Sequence, residues 1–139
     1  MSVFRRIDDF SADRQPTAPL GIPQFSVDPG KRLVSVKFRK KVTVRAIETY
    51  AALLRTDPSF KPDFSEIVDM TEVEELDLKP EEFIRLADEV DPFSLQARRA
   101  FVVHNEVQHH AARMHKILRT QRNFSIFRSI KDAHRWLGL

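Results

Sequence analysis

The chain contains no cysteine, and this absence excludes several kinds of site at once. Disulfide bonds, thiol catalysis, cysteine-ligated iron–sulfur clusters and the common structural zinc sites all need that side chain. Glycine is also scarce, because Gly21, Gly30 and Gly138 are the only three in 139 residues. Phosphate-binding loops need closely spaced glycines, so the sequence has no Walker or dinucleotide fingerprint, and it also lacks the Gly-x-Ser-x-Gly elbow of hydrolases. We predict a protein that is not an enzyme and uses no cofactor.

Long apolar runs are missing as well. No stretch approaches the roughly 18–20 apolar residues that a membrane-spanning helix needs. The first residues, MSVFRRIDD, lack the apolar centre of a secretory signal peptide. We therefore expect a cytoplasmic protein with no membrane span.

The composition that remains is that of an ordinary folded domain, with 42% hydrophobic and 31% charged residues. A chain of 139 residues suits one domain. Residues 1–21 mix charges with prolines and show no sustained apolar period, so we predict a flexible N-terminal tail, although Val3, Phe4, Ile7 and Phe10 could form one short amphipathic helix. The predicted domain is 22–139.

Apolar periodicity predicts an α/β fold with the order β-β-α-β-α-β-α-β-α. A hairpin opens it, with its turn at Asp28-Pro-Gly-Lys31 and Gly30 free to take positive φ. Helices that alternate with strands imply parallel pairing, so we expect a mixed five-stranded sheet covered by helices. The predicted strands are 24–27, 33–38, 65–70, 99–104 and 123–127, and the predicted helices begin after Thr43, near Pro80, and after Asn105 and Ser129.

Each predicted helix has an apolar stripe that should face the sheet. For the first helix this stripe is Val44, Ile47, Ala51 and Leu54, and an acidic link, 71–77, precedes the second. The stripes of the later helices are Phe83, Ile84, Ala87 and Val90; Val107, Ala111, Met114 and Leu118; and Ile130, Ala133 and Leu137 with Trp136.

Charge is unevenly distributed, since 57–91 is strongly acidic and 98–139 strongly basic. Such a dipole could steer a partner, or interleaved segments could cancel each other's charge. The basic stretch 37–45 could contact phosphates. However, the sequence has neither an RNP motif nor helix-turn-helix spacing, so we expect no nucleic-acid partner.

Four histidines crowd one strand end and the helix after it: His104, His109, His110 and His115. No two of the last three are four residues apart, as metal-binding pairs on a helix are, so we predict no metal site and place these three on the exposed helix surface. His104 differs because it ends a strand, where open α/β sheets bind ligands. The ligand-binding residues predicted at these strand ends are Asp69, Thr71, His104 and Asn105.

Several dispersed segments together resemble the bacterial STAS/SEC14-like domain proteins, which share the fold of the sporulation anti-anti-sigma factor. The segments are FSVDPGKRLVSVKF at 25–38, IVDMT at 67–71, AFVV at 100–103, ARM at 112–114 and FRSIKDAHRWL at 127–137. The resemblance covers about residues 22–139. It implies a non-enzymatic domain of mixed sheet and helices that regulates through protein contacts or holds a small ligand.

The resemblance breaks down at one functional motif. In the signalling members, the strand that resembles 68–71 leads to a serine that is phosphorylated at a helix N-terminus. The matching stretch here is Asp77-Leu-Lys-Pro-Glu81, which has no hydroxyl, and Glu81 and Glu82 would repel a phosphate. We therefore predict a regulatory or scaffolding module without that phosphorylation switch.

Its expected partner is a protein, of which a second copy of the chain is one candidate. The alternative is a domain that binds a small ligand, a lipid or a nucleotide, at the strand ends.

Overall fold

A computed structural model describes residues 22–139 as an α/β domain in the predicted element order. The predicted tail, 1–21, lies outside the described residues. A π-helical turn, Leu86–Val90, continues the second helix. The strands are β1 (Gln24–Asp28), β2 (Leu33–Thr43), β3 (Ser65–Asp77), β4 (Arg99–Val102) and β5 (Phe124–Phe127), and the helices are α1 (Val44–Thr56), α2 (Pro80–Arg85), α3 (Glu106–Arg119) and α4 (Ile130–Leu137).

The five strands lie side by side in the order of the sequence. β1 and β2 pair antiparallel, and the other neighbours pair parallel, which confirms the mixed sheet. Parallel strands are joined by right-handed connections, so a sheet that always advances in one direction carries its crossover helices on one face. Side chains of α1, α2 and α3 pack on that face, and α4 packs on the other.

Alternation along the strands divides the core between these two faces. Val34, Val36 and Phe38 of β2 pack beneath α1 and α3, whereas Leu33 joins the smaller cluster beneath α4. All four residues of β4 are buried. This confirms the prediction of a central strand that is covered on both sides.

β2 and β3 are longer than predicted, because the acidic link is itself a strand. The two strands continue beyond β4 as a twisted ribbon, 39–43 beside 72–77, with irregular register on both sides of Lys40. Lys37 lies 2.6 Å from Glu72, and Lys41 lies 3.7 Å from Asp77. The basic and acidic stretches therefore neutralise each other along the ribbon, as the second reading of the charge pattern expects.

The hairpin turn forms where predicted, but its left-handed residue is not glycine. Asp28 Oδ1 accepts a hydrogen bond from the backbone N of Lys31 at 3.1 Å, as expected of an Asp at a turn. Arg32, not Gly30, takes positive φ, at 52°. A left-handed residue at the end of the turn directs the chain into β2. No helix among residues 22–139 is long and apolar enough to cross a membrane.

Candidate functional site

Five polar side chains from five different parts of the chain meet between the sheet and its helical cover. They are Tyr50 of α1, Glu66 of β3, Asp91 after the π-helical turn, Arg99 of β4 and His115 of α3. We refer to them as the buried polar cluster. Burying a polar group costs free energy unless the group is hydrogen-bonded, so each of these side chains needs a hydrogen-bonding partner in the core.

Glu66 and Arg99 form the centre of the cluster because they are paired in register on neighbouring parallel strands. Both point to the face that α1 and α3 cover, and their side chains are 1% and 4% exposed. Arg99 donates from Nε and Nη2 to Glu66 Oε1 at 2.9 and 2.8 Å. The Tyr50 hydroxyl donates to Glu66 Oε2 at 2.6 Å. The charges are therefore paired and hydrogen-bonded, the condition under which buried ions are tolerated.

The π-helical turn places Asp91 beside Arg99. Arg99 Nη1 donates to Asp91 Oδ2 at 2.6 Å, and the Arg99 guanidinium lies 4.6 Å from the centre of the Phe93 ring. The wider turn also shifts the register of the helix by about one residue. Consequently Leu86 is buried and Ile84 is 50% exposed, so the predicted inward position of Ile84 is wrong.

α3 is rotated from its predicted orientation. Val107, expected on the inner face, is 59% exposed, and Gln108 is buried in its place. Gln108 donates to the Val73 carbonyl at 2.8 Å and accepts from the His104 backbone N at 2.6 Å. The Gln108 side chain therefore bonds to the backbone of both Val73 and His104. Polar residues with such partners can lie on the inner face of a helix. A pattern based on apolar residues does not predict them there.

His115 lies on this inner face, 2.7 Å from Asp91 Oδ2 through its Nε2, so its predicted place on the exposed helix surface is wrong. Arg119, one turn later, lies 3.5 Å from the same oxygen through its Nε. Arg119 also donates to the carbonyls of Ala87 and Phe93, which fixes the π-helical turn against α3.

The electrostatics of the cluster keep its charges in place. Burial acts to raise the pKa of Asp91, but Arg99, His115 and Arg119 outweigh it and hold that pKa well below its usual range. Burial would lower the pKa of Arg99, but Glu66 and Asp91 outweigh it and raise that pKa. Burial, followed by the charge of Glu66, raises the pKa of Tyr50 well above its ordinary value. The pKa shifts therefore keep Asp91 and Arg99 charged and the Tyr50 phenol neutral.

A cavity of about 100 Å³ adjoins the cluster, between the sheet and α1, α2 and α3. All five members of the cluster border it, and most of the remaining lining is aliphatic or aromatic. The ribbon of β2 and β3 contributes Val42 and Leu76, and α2 contributes Phe83. No sequence motif indicates this cavity, because its lining comes from elements far apart in the chain.

The structure places the four predicted ligand-binding residues elsewhere. Asp69 Oδ1 accepts from the backbone N and the hydroxyl of Thr71 at 2.9 and 2.7 Å. Asn105 caps α3 by accepting from the Gln108 backbone N at 2.9 Å, and His104 is exposed. None of these residues borders the cavity, and no hydrogen bond joins Asp69 to His104 among the described residues. Their role in ligand binding stays a prediction. Within 22–139, no group of three or more His, Cys, Asp or Glu side chains could hold a metal ion.

Comparison with known proteins identifies the fold. No family model matches the chain, and no curated protein is significantly similar to it in sequence. Among solved structures, it resembles an uncharacterised protein of the DUF3478 family from Shewanella loihica PV-4, described as having a SpoIIAA-like fold. The TM-score is 0.60 at 21% identity, over 88% of this chain and 98% of that one.

The domain therefore has a SpoIIAA-like fold, which is the fold of the anti-anti-sigma factors, and this confirms the fold implied by the sequence resemblance. The relative is itself uncharacterised, so the similarity supplies an architecture and no activity. Any function has to be argued from the residues of this chain.

The low pKa of Asp91 predicts a specific dependence of stability on pH. A carboxyl whose pKa is lowered by folding stabilises the protein above its unfolded pKa, about 3.9 for Asp, and this contribution is lost as the pH falls below that value. We expect the unfolding free energy to fall from about pH 4 downward, and Asp91→Asn to remove a large part of that fall.

Urea titrations between pH 7 and pH 2.5 would measure this effect. Asp88→Asn is the matched control, because Asp88 is exposed on the same π-helical turn. That variant is expected to keep the pH dependence of the unchanged protein. An equal loss of pH dependence in both variants would contradict the role assigned to Asp91.

Proposed function

We propose that this chain is a non-enzymatic interaction module that binds a protein partner through the outer side of α3. The observation that carries the proposal is the exposure of two large apolar side chains on this helix, Val107 at 59% and Ile117 at 63%. Isolated apolar residues are common on surfaces, but two on one side of one helix, with the half-buried Met114 between them, provide an apolar contact strip.

The chemistry around the strip supports a partner with an acidic and apolar surface. Arg113 and Lys116 are exposed on α3 beside the strip, and neither forms an ion pair with another described residue. By contrast, Lys37 and Lys41 on the ribbon are paired with Glu72 and Asp77. Arg113 and Lys116 therefore place positive charge beside the strip that no acidic side chain among the described residues neutralises. Complementary charge on a partner would increase the association rate and the specificity.

The buried polar cluster supports the non-enzymatic part of the proposal. Its carboxylates, guanidinium and phenol are occupied by one another at 2.6–2.9 Å. A general base or nucleophile must be able to reach a substrate, and groups that are fixed as partners of buried charges serve folding instead. The shifted pKa values of Asp91, Arg99 and Tyr50 follow from burial and from pairing within the cluster, so no catalytic role is needed to explain them.

The N-terminus of α2 supports a module without the phosphorylation switch of the signalling relatives. Pro80 begins this helix, and the Glu82 carboxylate accepts a hydrogen bond from the backbone N of Lys79 at 2.8 Å. A carboxylate of the chain itself already lies at this helix N-terminus, and it would repel a phosphate there. In this proposal, the amount of available partner determines how much of the complex forms.

A photo-crosslinking experiment tests the α3 surface. The full chain would carry a benzophenone amino acid at position 117 or, as a control, at position 53, where Leu53 of α1 is also exposed, at 42%. We expect one discrete protein adduct from position 117 and none from position 53. Val107→Asp, which places a negative charge on the strip, should reduce the adduct by tenfold or more, estimated from roughly 1.4 kcal/mol per decade of affinity.

Equal adducts from both positions, or an adduct that is insensitive to Val107→Asp, would contradict the proposal. An adduct with twice the mass of the chain would identify the partner as a second copy. A basic and apolar helix could instead lie on a membrane surface. We favour a protein because α3 exposes no aromatic side chain, and binding to anionic vesicles that Val107→Asp abolishes, with no protein adduct, would overturn this choice.

A further inference from the structure

The cavity beside the buried polar cluster is separate from the α3 surface, since it lies on the inner side of the helices. About 100 Å³ is large for a void in a domain of this size, because interiors are close-packed and voids larger than a water molecule are few. Tyr50, Ala51 and Ile47 of α1 form one wall, and Val68 and Met70 of β3 form another. The void is therefore a defined space between regular elements.

The charged groups that border the cavity are already hydrogen-bonded to one another. Both Glu66 oxygens accept hydrogen bonds, from Arg99 and from the Tyr50 hydroxyl. Asp91 Oδ2 accepts from Arg99, and its Oδ1 accepts from the Phe93 backbone N at 2.9 Å. A charged molecule would lose its hydration in this mostly apolar space and would have to compete with existing ion pairs for a charged partner. An apolar molecule has no such hydration to lose.

The cavity is not sealed on all sides. Its outer border is formed by half-buried side chains, Leu76 and Leu78 at the end of the β2–β3 ribbon and Phe83 of α2. Phe83 lies on a helix of six residues. Rotation of the Phe83 and Leu78 side chains would widen this outer opening for a small molecule, on the timescale of side-chain motion.

We propose that this cavity binds a small, uncharged, apolar molecule no larger than a single six-membered ring. Size sets the upper limit, because this cavity of about 100 Å³ is smaller than the apolar cavity of about 150 Å³ that takes up benzene or xenon and excludes water. A nucleotide or the headgroup of a lipid is much larger than this space. Its charges would also have to compete with the ion pairs of the buried polar cluster. The occupant is therefore defined by shape and apolarity.

Titration of the full chain with benzene, with benzoate as the matched charged probe, tests the proposal. We expect benzene to shift the amide NMR signals of residues around the cavity and to raise the melting temperature by about 3 °C or more when present at ten times its Kd. Benzoate has the same ring and a charge, and it should produce neither effect at the same concentration.

A pair of neighbouring alanines provides matched variants. Ala51 borders the cavity, whereas Ala52 is exposed on the same helix. Ala51→Leu should fill part of the cavity and abolish the benzene-induced shifts, and Ala52→Leu should retain them. If Ala51→Leu does not fold, xenon-induced shifts in the unchanged protein replace it, and they should be confined to residues around the cavity.

Three results would overturn the inference: no response to benzene, an equal response to benzoate, or shifts spread over exposed residues. Benzene binding that persists in folded Ala51→Leu would also place the site elsewhere. None of these results bears on the crosslinking at position 117, so the cavity and the α3 surface stand or fall separately.

Discussion

Arg99→Met is expected to lower the free energy of unfolding by about 3–5 kcal/mol, the usual cost of removing one partner from a buried ion pair. Arg99 is the cation shared by Glu66 and Asp91, and its side chain is 4% exposed. Without Arg99, the carboxylates of Glu66 and Asp91 remain buried without the guanidinium that pairs with both of them. Methionine nearly preserves the volume, so the loss reflects charge pairing and not a cavity.

The neighbouring residue provides the control for this experiment. Arg98 is exposed, donates to the Trp136 carbonyl at 2.5 Å and stacks 4.3 Å from the Trp136 ring. Arg98→Met should cost about 1 kcal/mol or less, as exposed cation–π contacts usually contribute. Urea denaturation at pH 7, followed by circular dichroism, measures both variants. Similar losses for the two would show that the buried cluster contributes no special stability.

A double variant distinguishes pairing from packing. If Glu66 and Arg99 stabilise the fold mainly through each other, Glu66→Met together with Arg99→Met should cost about 0.5–3 kcal/mol less than the two separate losses combined. Such coupling is expected for residues in direct contact. Strict additivity would mean that each side chain matters only for its own packing, which would contradict the paired arrangement.

The cluster could not have been predicted from apolar periodicity, and the reasons are physical. Glu66 and Arg99 lie in the first two residues of their strands, where a charged residue ordinarily faces solvent. Their pairing depends on the register between β3 and β4, which no local pattern determines. One signal was present in the sequence: opposite charges at the starts of two buried strands. That signal gains meaning only when the strands are known to be neighbours.

The fold itself was far more predictable, because its elements are defined by short-range chemistry. Helices are predicted to begin after Thr43, Asn105 and Ser129, and each of these residues accepts a hydrogen bond from a backbone N–H in the first turn of its helix. The failures are in helix orientation. On α3, Ala111 is buried as predicted, but Val107 is exposed, and Gln108 and His115 lie on the inner face.

The prediction that Asp69, Thr71, His104 and Asn105 bind a ligand rests on a general preference of ligands for strand ends, which is a property of many folds, and it stays a prediction. The cavity is a separate feature between the sheet and the helices, and its position follows from how α1, α2 and the ribbon pack. Packing of this kind becomes visible only in three dimensions.

Two adjacent leucines on α1 test the part of the core that periodicity did predict. Leu54 belongs to the predicted stripe and is fully buried, whereas Leu53 is 42% exposed. Leu54→Ala should lower the unfolding free energy by about 2–5 kcal/mol, since it removes buried methyl groups and leaves a cavity. Leu53→Ala should cost less than about 0.5 kcal/mol, as surface substitutions usually do.

Because the two variants make the same chemical change in the same helix, helix propensity cancels in their comparison. The difference between them therefore measures how strongly α1 is held against the sheet. Urea denaturation followed by Trp136 fluorescence reports unfolding from the opposite face of the sheet, where Trp136 packs. A coincident transition by circular dichroism would show that both faces unfold together. Equal stability of the two variants would mean that α1 is not packed on the sheet as described.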